Sequence, residues 1–482
     1  MKSFGLALAA AALLLAGCGS QPTLRAGAAV ADITPKEWPL PLIGNFGYSP
    51  ASGANDPLSV RAIVVESGGE TIAVAVVDSC YLPTEVADDA KARASKQSGI
   101  PADHILLSAT HTHSAPPASP MLDWKPGGPP EVEPNMEAYS ELLRNGVAQA
   151  ITDAHSRLEP AEIGWGKVEI PEELHNRRWF MKEGTIPPDP FGATTDKVKM
   201  NPPRQSPDLI KPAGPTDPEL YVVSVRSAQG APLALWATYS LHYVGGVPSG
   251  KVSADYFGEF ARRISASMRQ EGAGDDFVGI LANGTSGDVN NIDFEHERAP
   301  AAPFERIHQV AERVARGAYD AYKTISYHRS LDVAMIQREL TLKRRKPTAE
   351  GLEQAKQFLA EPDETKLPRL AKAYAERAIQ LAEGPDETTI KLQALHMGPL
   401  AVCAIPFETF TAIGLELKEK SPFEDTFTVE LANGWNGYLP TPEQHELGGY
   451  ETWLGTNFVQ KDASRLITDD LLEMLGELHK KP

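Results

Sequence analysis

Two features of this 482-residue sequence predict a mixed α/β fold. Short apolar runs alternate with stretches of helical periodicity along most of the chain. In addition, the stretch from Thr71 to Ile105 has the strand–helix–strand composition of a βαβ crossover. The expected architecture is a set of mixed β-sheets flanked by helices. Taken in order, apolar and β-branched runs place strands at 60–66, 71–77, 105–108, 220–225, 233–238, 278–281, 331–336, 389–396 and 401–405. Gly68-Gly69 joins the first two as a hairpin turn. Helical periodicity falls at 84–97, 135–156, 254–270, 304–325, 349–360, 367–382, 408–419 and 461–477. The charged pair spanning 349–382 reads as a solvated helical hairpin. Residues 170–217 are rich in Pro, Gly and charge and read as a long irregular excursion, a class of loop that is functional or disordered. No internal repeat stands out.

The first residues address the compartment. Lys2 precedes an apolar run from Phe4 to Ala16, which is shorter than the roughly 20 residues a spanning helix needs and reads as a signal peptide. Its end, Leu15-Ala16-Gly17-Cys18, resembles the lipobox of bacterial lipoproteins. That resemblance implies a signal peptide over 1–17, a lipid on Cys18 and a short polar tether over 18–25. The chain is then expected outside the cytoplasm, anchored to the periplasmic or extracellular face of the cell envelope. An ordinary cleaved signal with an incidental Cys18 is the alternative.

Composition excludes some classes of function. The net charge of −18 gives no basic patch for nucleic acid and no polybasic grip on anionic lipid. Beyond Cys18 only Cys80 and Cys403 remain; with no CxxC there is no cysteine zinc knuckle, and two separate buried thiols are expected rather than a disulfide. Length alone suggests two or three domains.

The densest chemical signal is Thr110-His111-Thr112-His113-Ser114, directly after the strand ending at Ser108. In extended chain, side chains two apart point the same way, so both imidazoles can face one cleft. Such a pair suits a first-row metal or serves as hydrogen-bonded structural histidines. His242 closes another strand-like run, where a lone histidine is more often structural than a ligand. Glu408 ends an apolar strand and opens a helix, where a first-turn carboxylate is favoured by the helix dipole. Tyr438 and Tyr450 sit in glycine-rich loops, in which aromatics commonly pack.

Together these segments resemble the neutral ceramidase family. The Thr-His-Thr-His-Ser motif, the His242 segment, the Pro406-Phe407-Glu408 turn and the Tyr438/Tyr450 loop occur in that family's order, from about Ala26 to the final helix. The resemblance implies one large α/β catalytic domain over 26–482 and one zinc ion per chain, held by His111, His242, Glu408 and Tyr438. It also implies that His113, Tyr450 and Arg177 contact the reacting amide. Zinc with an open position lowers the pKa of bound water to about 7 and polarises a carbonyl, which suits amide hydrolysis.

Three departures narrow the expectation. Arg178 stands where the family has Ser, and Asn290 stands where an active-site serine is expected. An amide can donate a hydrogen bond but cannot form an acyl-enzyme, so Asn290 is expected to orient substrate or an oxyanion. Ser286, nearby, precedes Gly287 and is not expected to act as nucleophile. The family's additional C-terminal immunoglobulin-like domain has no counterpart after the 461–477 helix. The expected function is hydrolysis of a linear amide, an N-acyl compound of ceramide-like or other lipid character, with no nucleic acid and no obligate protein partner. The alternatives are an esterase or small-amide hydrolase on the same site, or a catalytically silent ligand-binding lipoprotein.

Overall fold

The computed structural model describes residues 24–44, 49–120 and 132–480. The expected signal segment over 1–17 and Cys18 lie outside the described residues. Among the described residues, Leu24 is buried and Arg25–Asp32 forms the first strand.

The framework is two sheets packed face to face. The larger has eight strands, in spatial order 278–283, 232–239, 219–227, 159–169, 25–32, 59–67, 70–77 and 105–109. The smaller has four, in the order 333–343, 387–397, 400–405 and 425–430. Period-two alternation decides which residue serves which layer. In strand 59–67, Val60, Ala62 and Val64 face the helices, while Ile63 and Val65 face the second sheet. Helices 84–98 and 132–156 cover one half of the large sheet, and helices 255–270 and 305–322 cover the other. Helices 411–420 and 463–479 cover the outer face of the small sheet. The result is a helix–sheet–sheet–helix stack.

Some expected elements shift for physical reasons. Glu408–Thr409 forms a short parallel pairing with Tyr438–Leu439, and the helix begins only at Thr411, so Glu408 is not a first-turn helix carboxylate. The helix expected from 367 starts at Ala371, after a separate turn at Glu364–Lys366. Within 170–217 a three-stranded sheet forms from 178–181, 198–200 and 209–212, so the excursion is partly regular. Strands Arg25–Asp32 and Glu159–Glu169 were not anticipated, because small residues weaken their apolar signal. Those small residues are sites of close approach. A Cβ on Gly27 would lie 2.2 Å from the Ala154 carbonyl, and one on Gly164 would lie 2.3 Å from Ile325.

Cys80 and Cys403 are free and buried, as expected. No helix among the described residues is long and apolar enough to cross a membrane.

Candidate metal centre

Three strand–helix–strand units of the chain end at one site. Strands 70–77 and 105–109, 232–239 and 278–283, and 400–405 and 425–430 are parallel pairs, each joined through a helix. Parallel strands expose their carboxyl ends on one side, the usual place for a ligand site in α/β folds. Cys80, His111, His242, Ser286, Glu408 and the loop from Asn433 to Tyr438 all follow such ends.

His111 and His113 do meet, though not by strand alternation. The strand stops at Ala109 and His111 adopts a left-handed backbone with φ 74°. That turn brings the His113 Nε2 to 3.1 Å from the His111 Nε2. His242 likewise lies beyond its strand, which ends at Tyr239.

The second nitrogens fix the tautomers. His111 Nδ1 lies 2.8 Å from the Cys80 carbonyl, and His242 Nδ1 lies 3.1 Å from the Ser286 carbonyl. A carbonyl accepts, so each Nδ1 carries the proton and each Nε2 presents a lone pair. Yet the two Nε2 atoms face each other at 3.0 Å. Glu408 Oε2 lies 3.4 Å from the first and 3.8 Å from the second, and it is buried without a hydrogen bond. Three converging lone-pair donors repel one another unless a cation or proton sits among them. Ligand atoms on a tetrahedral zinc with bonds of roughly 2.0–2.1 Å lie about 3.3 Å apart. The observed separations bracket that spacing, so these residues fit a metal of that size.

The titration behaviour reflects the same crowding. Burial, then His111 and Arg177, push His113 and His242 well below the ordinary imidazole range. Burial also opposes a charge on His111, but Cys80 and Glu408 outweigh it and raise that group well above the ordinary range. Burial alone would raise Glu408; His111 and the Tyr438 phenol hold it low. Tyr438 reaches the carboxylate because Glu408 and Tyr438 are paired in register. Trp435 Nε1 donates to Glu408 Oε1 at 3.1 Å.

No protein-family model and no curated protein sequence matches the chain. Solved structures do. A neutral ceramidase from Pseudomonas aeruginosa superposes with a TM-score of 0.70 at 17% identity, over 96% of this chain and 75% of that one. A ceramidase complexed with C2 gives a TM-score of 0.69 at 15% identity, over 95% of this chain and 76% of that one. The chain has the neutral ceramidase fold.

Within that neutral ceramidase fold, a cavity of about 690 Å³ opens on the centre, and His111, His113, Glu408, Tyr438 and Tyr450 line it. Tyr450 and Tyr438 meet edge to face with centroids 5.7 Å apart. Arg177 stands behind His242, its Nη1 3.2 Å from the His242 Nε2, and its buried Nη2 makes no hydrogen bond.

Asn290, like His242 and Arg177, is not among the cavity-lining residues. Its Nδ2 donates to Asn201 Oδ1 at 2.7 Å and its Oδ1 accepts from the Ile292 N–H at 2.9 Å. Asn201 in turn donates its N–H to the Arg177 carbonyl. The Nδ2 end of the Asn290 amide therefore serves the segment that carries Arg177, and the Oδ1 end holds its own loop.

Several participants carry no local signal in the sequence. Glu430 ends a buried strand and accepts from Ser286 and Thr409. Glu451 pairs with Arg177 at 2.9 Å and with Arg178 at 2.5 Å. Gly287, directly after Ser286, is required by close packing: a Cβ there would lie 2.5 Å from the Glu408 carbonyl oxygen.

Proposed function

We propose that this protein is an exported, lipid-anchored, zinc-dependent hydrolase of a linear amide, with an N-acyl compound as substrate. The observation that carries the reading is the convergence of His111 Nε2, His242 Nε2 and Glu408 Oε2, three buried groups that turn lone pairs toward one point, beside a cavity lined by His111 and Glu408. Tyr438 is the fourth ligand in this reading. Bound zinc supplies Lewis acidity toward the amide carbonyl and lowers the pKa of a water to about 7. The chain's own residues then divide the remaining work. The unpartnered Nη2 of Arg177 is a preorganised donor for charge developing on the carbonyl oxygen, in a setting where burial strengthens it. Tyr450, on the cavity wall, offers a phenol to the same amide. His113, whose Nε2 faces that of His111, is the group placed to hand a proton to the departing amine. No serine nucleophile is needed: Ser286 is fully buried behind His242.

Elemental analysis of the protein lacking residues 1–18 tests the centre. About one zinc per chain is expected, with loss in His111→Ala and His242→Ala and hydrolysis of N-acyl amides that follows the metal. A wild type that cannot take up zinc would leave a ligand-binding protein in place of a hydrolase. Anchoring is tested separately: Cys18→Ser is expected to move the full chain from the membrane fraction to the soluble one, and an unchanged distribution would refute it.

A further inference from the structure

The cavity has a second wall, away from the ligand cluster in sequence, where helix 371–383 runs into strand 387–397. Arg344, Arg377, Gln380, Thr388 and Thr389 lie along it. The run Arg344-Arg345-Lys346 uses its cations unequally. Arg345 Nη1 donates to the Thr452 carbonyl at 2.7 Å and to Asn457 Oδ1 at 2.9 Å. Lys346 Nζ donates to the Gly384 carbonyl at 2.6 Å. Arg344 is fixed only through its backbone, by an N–H to the Asp386 carbonyl at 2.7 Å and a bridge to Val459. Its half-buried guanidinium reaches the cavity and has no hydrogen bond or ion pair among the described residues. Arg377 stands on the same wall, held by the Gly455 carbonyl at 3.0 Å and over the Tyr374 ring. Of the carboxylates lining the cavity, Glu408 belongs to the metal cluster and Glu85 is exposed to solvent. Beside the metal cluster the surface is of another kind, the stacked plate of Tyr81 and Trp435 with centroids 4.1 Å apart.

We propose that the substrate is an N-acyl amide that also carries an anionic group, a carboxylate or phosphate, received by Arg344 with Arg377. This rests on the amide-hydrolase reading above. A guanidinium matches either anion through its planar fork of donors. A ligand without charge would cover Arg344, remove its water and return no hydrogen bond, which is unfavourable for a cation. The aromatic plate suits the acyl portion, and the cationic wall suits the amine portion.

Three zinc-loaded assays test this, with N-lauroylglycine, N-lauroylethanolamine phosphate and neutral N-lauroylethanolamine. The anionic substrates are expected to exceed the neutral one in kcat/KM by about tenfold or more, the scale of one charge-assisted hydrogen bond. Whichever of the two is preferred identifies the anion. Arg344→Gln is expected to raise KM for the anionic substrates by a similar factor, leaving kcat and the neutral substrate unchanged; a merely structural arginine would disturb all three alike. Equal turnover of charged and neutral substrates, or an Arg344→Gln effect independent of charge, overturns the subsite. Calorimetry with sulfonamide analogues, which resist hydrolysis, reads the subsite without turnover. Anion binding that weakens in Arg344→Gln without any amide cleavage would retain the subsite and reject the hydrolase; absence of charge-dependent binding would reject the subsite itself.

Discussion

Glu430 gathers hydrogens from two segments that carry the proposed ligands. Its carboxylate accepts the Ser286 hydroxyl at 2.7 Å, the Ser286 N–H at 3.2 Å and the Thr409 N–H at 2.6 Å. Ser286 offers its carbonyl to His242 Nδ1, and Thr409 follows Glu408 directly. One buried side chain thus sets the tautomer support of one ligand and the backbone position of another. Outer groups of this kind commonly control metal affinity by about 10–100-fold. Glu430→Gln keeps the shape but replaces an acceptor by a donor, and it is expected to weaken zinc binding by that factor in a chelator competition. Unchanged affinity would remove Glu430 from the metal site. Nothing in Phe427-Thr428-Val429-Glu430 distinguishes this glutamate from an ordinary strand-end carboxylate. By contrast, the histidine pair at 111 and 113 was legible because two imidazoles with one residue between them are chemically conspicuous.

At the scale of elements, Arg178 joins the short strand 178–181 to the turns around helix 442–445 and Tyr450. It is fully buried, donates to the Gly448 carbonyl at 2.7 Å and pairs with Glu451, which also holds Arg177. A serine here, the residue expected from the family resemblance, would leave Glu451 buried with a single cation. Breaking a buried pair costs about 3–5 kcal/mol, and Arg178→Ser is expected near the low end because Arg177 remains. Urea unfolding measures it; a loss no larger than that of a surface substitution would show the clamp to be dispensable. The substitution thus reads as one half of a local arrangement whose other half, Glu451, lies 273 positions away. Distance in sequence also hid the true state of Glu408. Its helix-like context is overruled by pairing with Tyr438, a contact that no window of local sequence contains.

Across the whole molecule, Lys91 ties the layers together. It projects from helix 84–98, is only 3% exposed, and donates to Gln337 Oε1 of the small sheet at 3.1 Å and to Asn433 Oδ1 at 3.0 Å. Burial lowers its pKa from 10.5 to about 8; Lys391 acts in the same direction, and Asp88 and Asp103 act against it. Between those two values the unfolded chain holds a proton that the folded chain has released. Stability relative to Lys91→Met is therefore expected to rise as pH increases from about 8 to 10.5, by up to about 3 kcal/mol. Below that window both states are protonated and the difference is flat. A pH-independent difference in urea unfolding would contradict the assignment. The sequence by itself determined the mixed α/β class, most of the strands and helices and several of the chemical groups, because period-two and helical patterns are local and histidines are rare enough to be noticed. The small-residue strands, Glu430, Glu451 and the cationic wall were decided only by the tertiary structure. Close packing of backbone against backbone and the pairing of buried charges act between residues that are distant along the chain, and such contacts leave no pattern in a local window.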